Sequence, residues 1–545
     1  MKINNLRLVL LAVLGLVFIG ILFELLRHAS VGSGEASQMS SFGTAGKASL
    51  IAVLLAIVGA TMWLTGGVRA VDAQSRVSAP ATSSSTGEAS SGAAAIPLTS
   101  LQVRGLGITV DELSQDEIWQ HILAKADTHA SIYSNVPADY PSSPTILSSN
   151  SRLRIGLALH AGAGEWVEYT PLPVFVFGPP KDAANPFGAA VSISRARQEG
   201  SLPFHLFLVQ QAANDAGLSL DDVFHFFDAN PEVPAALIFC TDGMVVRKLL
   251  GKPGAGQSAN VPVVPKVFDS NVALLVTRPE RVEQMHAFAV NEPDSVDTRE
   301  TQYDLVKLWN FYWEETTSYD DQYVADEQAR GVGDPVKPHT MSVAWWRSRL
   351  PSLWHQTENK GPGQFRPDVW TPVRWTTWQL KEFDDSPVLG YIHRPVRVRF
   401  TDDHGSALRE QEQAAALQQG WKTVLSADGS TGHPARVFFD TTGARDWVIP
   451  LTQALGAQAD APSPGNVKEG FDIGYRLGNT GVSSALVQLG LSLMAGYGDG
   501  KSSVVVNRNP NGYAEFIAVT PPSDAEKKRY AAAKGDNPFE YKSND

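Results

Sequence analysis

The amino-acid sequence predicts an α/β protein made of two comparable halves, with an aromatic insertion between them and two membrane-spanning helices ahead of them. Three observations carry this reading. Strand and helix signals alternate twice, over residues 152–277 and 395–520. Eight of the thirteen tryptophans fall in between, within residues 308–379. Two apolar runs, residues 6–26 and 48–64, come before everything else.

A bilayer core of roughly 30 Å needs about 20 apolar residues in a helix, so the first run suffices and the second does if residues 65–68 contribute. A cleaved signal peptide is the other reading of the first run. Its apolar stretch is long for one, however, and no small-residue cleavage site follows Arg27 closely. Glu24 lies one helical turn from the end, within reach of the interface. The N-terminal stub carries Lys2 and Arg7, and Arg69, Arg76 and Arg104 follow the second run, whereas Arg27 and Lys47 between the runs are set against Glu35. Two spans leave both ends on one side, and this excess of cations puts that side, with the large domain, in the cytoplasm. A single cysteine, Cys240, fits a chain without internal disulfides.

Residues 77–99 are rich in Ser, Ala and Gly and hold too little apolar surface for a core, which predicts a flexible tether. The remaining stretch is longer than one core normally holds, hence two subdomains or a duplicated fold. A formal net charge of -12 without a basic block argues against a nucleic-acid or anionic-lipid surface and leaves proteins and small molecules as partners.

Along the first half, residues 152–160 and 172–178 read as short buried strands, and 204–216 as an amphipathic helix stopped by Gly217. Residues 235–240 form a strand, 241–250 start a helix, and 272–277 form a strand before an Arg278-Pro279 turn. In the second half, 395–400, 435–440 and 446–451 are strand candidates. Residues 483–495 read as a helix with Leu486, Leu489, Leu493 and Met494 near one face. Residues 504–507 and 515–519 are a closing strand pair around Asn509-Pro510-Asn511-Gly512. This βαβ rhythm predicts a sheet covered by helices.

Residues 477–520, beginning LGNTGVSSALVQLG, resemble the end of a thiolase-like or β-ketoacyl-synthase domain. In that superfamily two βαβαβ halves form a pseudo-twofold, so the resemblance implies duplicated thiolase-like α/β halves. It also implies a Cys nucleophile at a strand-to-helix turn, and Cys240 at the end of AALIFC is the candidate. The superfamily's two histidine positions fall on Asp440 and Asn479. A carboxylate and an amide cannot together stabilise thioester charge as two imidazoles do. Cys240, Asp440 and Asn479 therefore read as a degenerate site, with Cys240 a small buried residue and no catalytic residues. An acyl-thioester condensing enzyme or acyltransferase using Cys240 is the alternative.

The insertion carries Trp309, Trp313, Trp345, Trp346, Trp354, Trp370, Trp375 and Trp378 among tyrosines and arginines, and its prolines predict irregular backbone. Trp, Tyr and Arg dominate interface hot spots, while an aromatic core under long loops is the competing reading. Read as an epitope, its candidates are Trp345, Trp346, Arg347, Trp354, Trp370 and Trp375. The run from WWRSRLPSLW to DSPVLGYIHRPV, with VALLVTRPERV upstream, resembles a proteobacterial family of tethered proteins that includes the adapter for a type VI secreted lipase. The resemblance spans residues 152–521. It implies a protein of the bacterial inner membrane that binds a lipase effector in the cytoplasm and delivers it to a VgrG-type spike.

The remaining motifs point nowhere. The twelve histidines show no ligand spacing, and neither GxGxxG nor GK[ST] follows Gly162-Ala163-Gly164. A GxSxG elbow is absent, and Asp320-Asp321 and Asp384-Asp385 read as solvated turns. No cofactor or metal is expected. The expected organisation is two spans with their loop (1–67), a linker (68–100), an N-terminal α/β half (101–300), the Trp-rich insertion (301–390), a C-terminal α/β half (391–522) and a polar tail (523–545).

Overall fold

The computed structural model describes residues 97–540 apart from 180–185, 214–218, 251–260, 294–298, 403, 427–432, 510–511 and 535–536. Both apolar runs lie outside the described residues, and among the described residues no helix is long and apolar enough to cross a membrane.

The first half runs β1 (Ser100–Val110), β2 (Leu113–Ser114), α1 (Gln115–Ala124), α2 (Pro144–Ala163), β3 (Pro171–Phe177), α3 (Pro186–Glu199), β4 (Leu206–Ala213), α4 (Leu220–Ala229), β5 (Ala235–Asp242), α5 (Met244–Leu250), β6 (Ser270–Thr277) and α6 (Pro279–Met285). The middle segment is α7 (Asp304–Ala329), β7 (Met341–Ser342), α8 (Val343–Trp354) and α9 (Thr377–Asp385). The second half is β8 (Gly390–His393), β9 (Val396–Arg399), α10 (Glu410–Ser426), β10 (Arg436–Phe439), α11 (Val448–Gly456), β11 (Gly470–Asp472), α12 (Ile473–Leu477), α13 (Ser484–Asp499), β12 (Ser503–Asn509), β13 (Tyr513–Thr520) and α14 (Asp524–Lys534).

One mixed sheet runs β11-β10-β12-β13-β8-β1-β6-β5-β3-β4-β7. Its two halves repeat the same plan. β4-β3-β5 and β11-β10-β12 are parallel, and the next two pairings, through β6 to β1 and through β13 to β8, are antiparallel. β1 and β8, the first long strand of each half, join the halves antiparallel, as a local two-fold between them requires. Strand alternation separates the two faces. Ala236, Ile238 and Cys240 enter the core covered by α1, α4, α7, α8 and α13, while Ala235, Leu237 and Phe239 enter the core under α2, α3 and α9. A third core gathers α10 and α11 on the second half.

Four sequence expectations fail, each for a physical reason. Residues 152–160 lie inside the 20-residue helix α2, which starts with Pro144 in its first turn and packs on β1 through small residues. A Cβ on Gly107 would lie 1.8 Å from the Ala158 carbonyl oxygen, and one on Gly105 would lie 2.1 Å from that of Gly162. Residues 206–213 form β4 instead of a helix. Its Leu206, Phe207, Leu208 and Val209 are buried on both faces, so the run has no strand-like alternation to read. Residues 446–451 are a 3-10 turn running into α11, where Pro450 needs no N–H partner and could not have served an interior strand. The Trp-rich segment is largely helical, with Trp309 and Trp313 on α7, Trp345, Trp346 and Trp354 on α8, and Trp378 on α9.

The long strand β1 went unread in the sequence, although Leu101, Val103, Leu106, Ile108 and Val110 are all buried. The contact between α2 and β1 leaves no room for a methyl group. Gly107→Ala should lower stability by roughly 3 kcal/mol or more, read as a shift of the urea midpoint, because backbone rather than a movable side chain stands in the way. A shift within experimental error would show that α2 can move off the sheet at little cost.

Candidate functional site

Cys240 sits inside β5, opposite Phe177 of β3 and Val272 of β6, and is fully buried. The strand-to-helix turn expected at Cys240 begins later, at Gly243, whose φ of +138° suits glycine. A cysteine nucleophile acts as thiolate, and burial, helped by the charge of Asp242, pushes the Cys240 thiol well above the usual range. Asp242 is itself fully buried. Its carboxylate accepts from Gly243 N at 2.7 Å, from Arg247 Nε and Nη2 at 2.8 Å each, and from Val482 N at 2.9 Å, so every lone pair is used. The Asp-Gly step directly after an apolar strand was the available signal for this clamp.

Asp440 follows the last residue of β10, where its carboxylate accepts from Thr442 N at 2.7 Å and from the Ser484 hydroxyl. Asn479 accepts from Gly481 N at 2.9 Å through Oδ1, and its carbonyl accepts from Phe268 N at 2.8 Å. Asp440 and Asn479 therefore flank the entry to α13, and Asp242 reaches the same turn. Among the described residues, none of Cys240, Asp440 and Asn479 is bonded to another. Each is committed to backbone or core, and no group of three His, Cys, Asp or Glu among the described residues is placed to hold a metal.

Asp269 lies at the start of β6's entry turn and accepts from Val245 N at 3.0 Å. Burial pushes its carboxyl up to about 7, against the lowering effect of that N–H, with Asp111 and Asp242 adding in the same direction as burial.

The tryptophans divide by depth. Trp346 and Trp370 are fully buried and Trp375 nearly so, which removes these three from any exposed epitope. Trp346 lies against Phe311 and Tyr312 of α7 and donates its indole N–H to the Val369 carbonyl at 3.0 Å. Trp375 packs edge-on against Trp166. Trp345 and Trp354 are half-buried, and Arg347 is exposed. Trp345 is held by the buried Glu315, which accepts from its indole N–H at 3.1 Å and from Arg349 Nε at 2.8 Å. Arg349 lies 5.4 Å over the Trp345 ring, and Tyr319 meets that ring edge-on. α8 thus turns Trp346 inward and leaves Trp345 half-buried and Arg347 and Arg349 exposed.

The geometry defines a mixed α/β protein in which Cys240, Asp440 and Asn479 form no catalytic set, and in which one helix displays aromatic and cationic side chains. The chain belongs to the family of the type VI lipase adapter protein Tla3. The N-terminal model of that family matches residues 99–261 and the C-terminal model residues 389–521, which together are just over half of the chain. Solved structures overlap only loosely. A ketosynthase from module 6 of the bacillaene synthase of Bacillus subtilis 168 shares 10% identity over 78% of this chain and 70% of its own, with a TM-score of 0.39. The oxazolomycin ketosynthase domain of Streptomyces albus JA3453 shares 8% over 78% and 96%, with 0.38. A 3-oxoacyl-(acyl carrier protein) synthase III of Pseudomonas aeruginosa PAO1 shares 14% over 78% and 99%, with 0.33.

Two outcomes follow from the buried end of β5. Cys240 in the native chain should resist iodoacetamide at pH 8 and react fully once unfolded, and Cys240→Ala should cost about 1 kcal/mol. Rapid labelling of the native thiol would contradict its burial. Asp269 keeps its proton up to about pH 7 when folded but releases it near pH 4 when unfolded. Between those values the folded state binds more protons, so this carboxyl's contribution falls as pH rises from about 4 to about 7. Denaturation of the native chain and Asp269→Asn across that window should show the difference between them changing in this sense. A difference independent of pH would place the Asp269 carboxyl in its ordinary range.

Proposed function

We propose that this protein is a non-catalytic adapter that binds a type VI lipase effector, is tethered to the bacterial inner membrane by its two N-terminal apolar runs, and helps load the effector onto a VgrG-type spike with its large domain in the cytoplasm. The observation that carries this reading is the match of both halves to the type VI lipase adapter family. The tether rests on the lengths of the two runs and the orientation on their flanking cations. The doubled strand order supports descent from a duplicated condensing-enzyme fold whose site positions now serve structure. The sealed thiol of Cys240 speaks against the acyl-thioester reading.

The effector surface we propose is the outer side of α8, with Trp345, Arg347 and Trp354 from the sequence reading and Arg349 added by the structure. These side chains combine contact area with charge in the manner of interface hot spots, and Glu315 holds two of them in place. The test is co-purification of the full-length chain with the lipase encoded beside it. Trp345→Ala and Arg347→Glu should each weaken the complex by about 1 to 3 kcal/mol by calorimetry. Trp346→Ala should instead unfold the domain, at a cost of about 3 to 5 kcal/mol. Full binding by both surface variants would move the effector site away from α8.

A further inference from the structure

At the β11 end of the sheet, opposite to the end that carries β7 and α8, a groove of about 800 Å³ lies between α1, β11 and the C-terminal turn of α13. Its walls are apolar, with Trp119, Ile122 and Leu123 of α1 facing Phe471 of β11 and Val467 before it. Leu123 is 51% exposed at the rim. Arg476, on α12, also lines the groove and is only 1% exposed.

Arg476 is a buried cation with no ion-pair partner, and the nearby carboxylate of Asp472 acts on it only from beyond ion-pair distance. Its Nη2 donates to the Val467 carbonyl at 2.9 Å, its guanidinium lies 5.0 Å over the Phe471 ring, and its buried Nε has no acceptor. Among the described residues no carboxylate lies within ion-pair distance of it. Buried charges are ordinarily paired, because desolvation of a guanidinium is costly. Several other charges around the groove already have partners, with Asp460 lying 3.7 Å from His433 Nδ1. Arg436 pairs with Asp499, Lys468 lies 3.9 Å from Asp127, and Glu469 accepts from Ser463 N and Asn466 Nδ2 at 2.7 Å each. Among the described residues none of the carboxylates lining the groove reaches Arg476, which is set among apolar groups.

We propose that this groove is a second docking site, which takes a peptide segment of a protein partner that carries an Asp or Glu flanked by apolar side chains. The guanidinium fork matches a carboxylate, and Trp119, Leu123 and Phe471 supply the apolar flanks. The groove also borders the last strand of the sheet and opens to solvent at Leu123, which suits an extended chain better than an alkyl tail in need of enclosure. The proposal goes beyond the adapter reading and does not depend on what α8 engages.

The test is selection of a random seven-residue peptide phage library on the full-length chain, followed by fluorescence anisotropy with the most enriched peptide. We expect an acidic residue between apolar ones. Binding should fall at least tenfold when that residue is changed to its amide, with Arg476→Met, and with Leu123→Glu, which adds a repelling carboxylate at an exposed position and leaves the fold intact. Arg347→Glu on α8 should leave peptide binding unchanged, which separates this site from the effector surface. Failure to enrich any acidic peptide, indifference to both groove variants, or Arg476-dependent binding of dodecanoate in place of peptide would each overturn the proposal.

Discussion

Helix α13 has no solvent-facing side along most of its length, and that constraint organises the molecule. Residues from Leu486 through Gly496 are buried all round, so strands of both halves must close over the helix. Its entry is held by polar groups from three strands. Asp242 at the end of β5 accepts from Val482 N, Ser270 of β6 donates to the Thr480 carbonyl at 2.8 Å, and Asp440 after β10 takes the Ser484 hydroxyl. Two carboxylates at a helix N-terminus also complement its dipole. These anchors tie the first half of the chain to the second through one helix, beside the direct β1–β8 pairing.

The same anchors engage the expected catalytic positions in the structure of the turn. A general base or oxyanion donor needs an unspent lone pair or N–H aimed at a reacting atom. Asp242, Asp440 and Asn479 each accept a backbone N–H at or near the turn into α13 through a side-chain oxygen. Cys240 points into the core instead of toward that turn. Evolution of a binding protein on such a frame requires only that outward surfaces be free to vary, and α8 and the groove at β11 lie at opposite ends of the sheet.

Aromatic residues in the middle segment serve two purposes by depth. Trp346 and Tyr312 lock α8 and α7 to β4, with the Tyr312 hydroxyl donating to the Phe207 carbonyl at 2.9 Å. Arg374 is buried and donates to Asn359 Oδ1 at 2.9 Å and to the Phe288 carbonyl at 3.1 Å, pinning the loop ahead of it. The outward residues stand on this rigid base, which keeps rotamer losses on binding small.

The sequence alone determined the α/β class, the strands at 235–240, 272–277 and 435–440, the long apolar helix near 483–495 and the closing hairpin, because each shows a bounded apolar run or a clear period. Tertiary structure decided the rest. α2 and β4 both lack a readable period, β4 because it is buried on both faces and α2 because it buries mostly small residues while Ile146 and Leu153 face solvent. Which tryptophans face outward depends on how α8 rolls against α7, and composition holds no record of that roll. The burial of Arg476 with no carboxylate within ion-pair distance is likewise invisible in the chain, because it depends on how α12 packs against the groove.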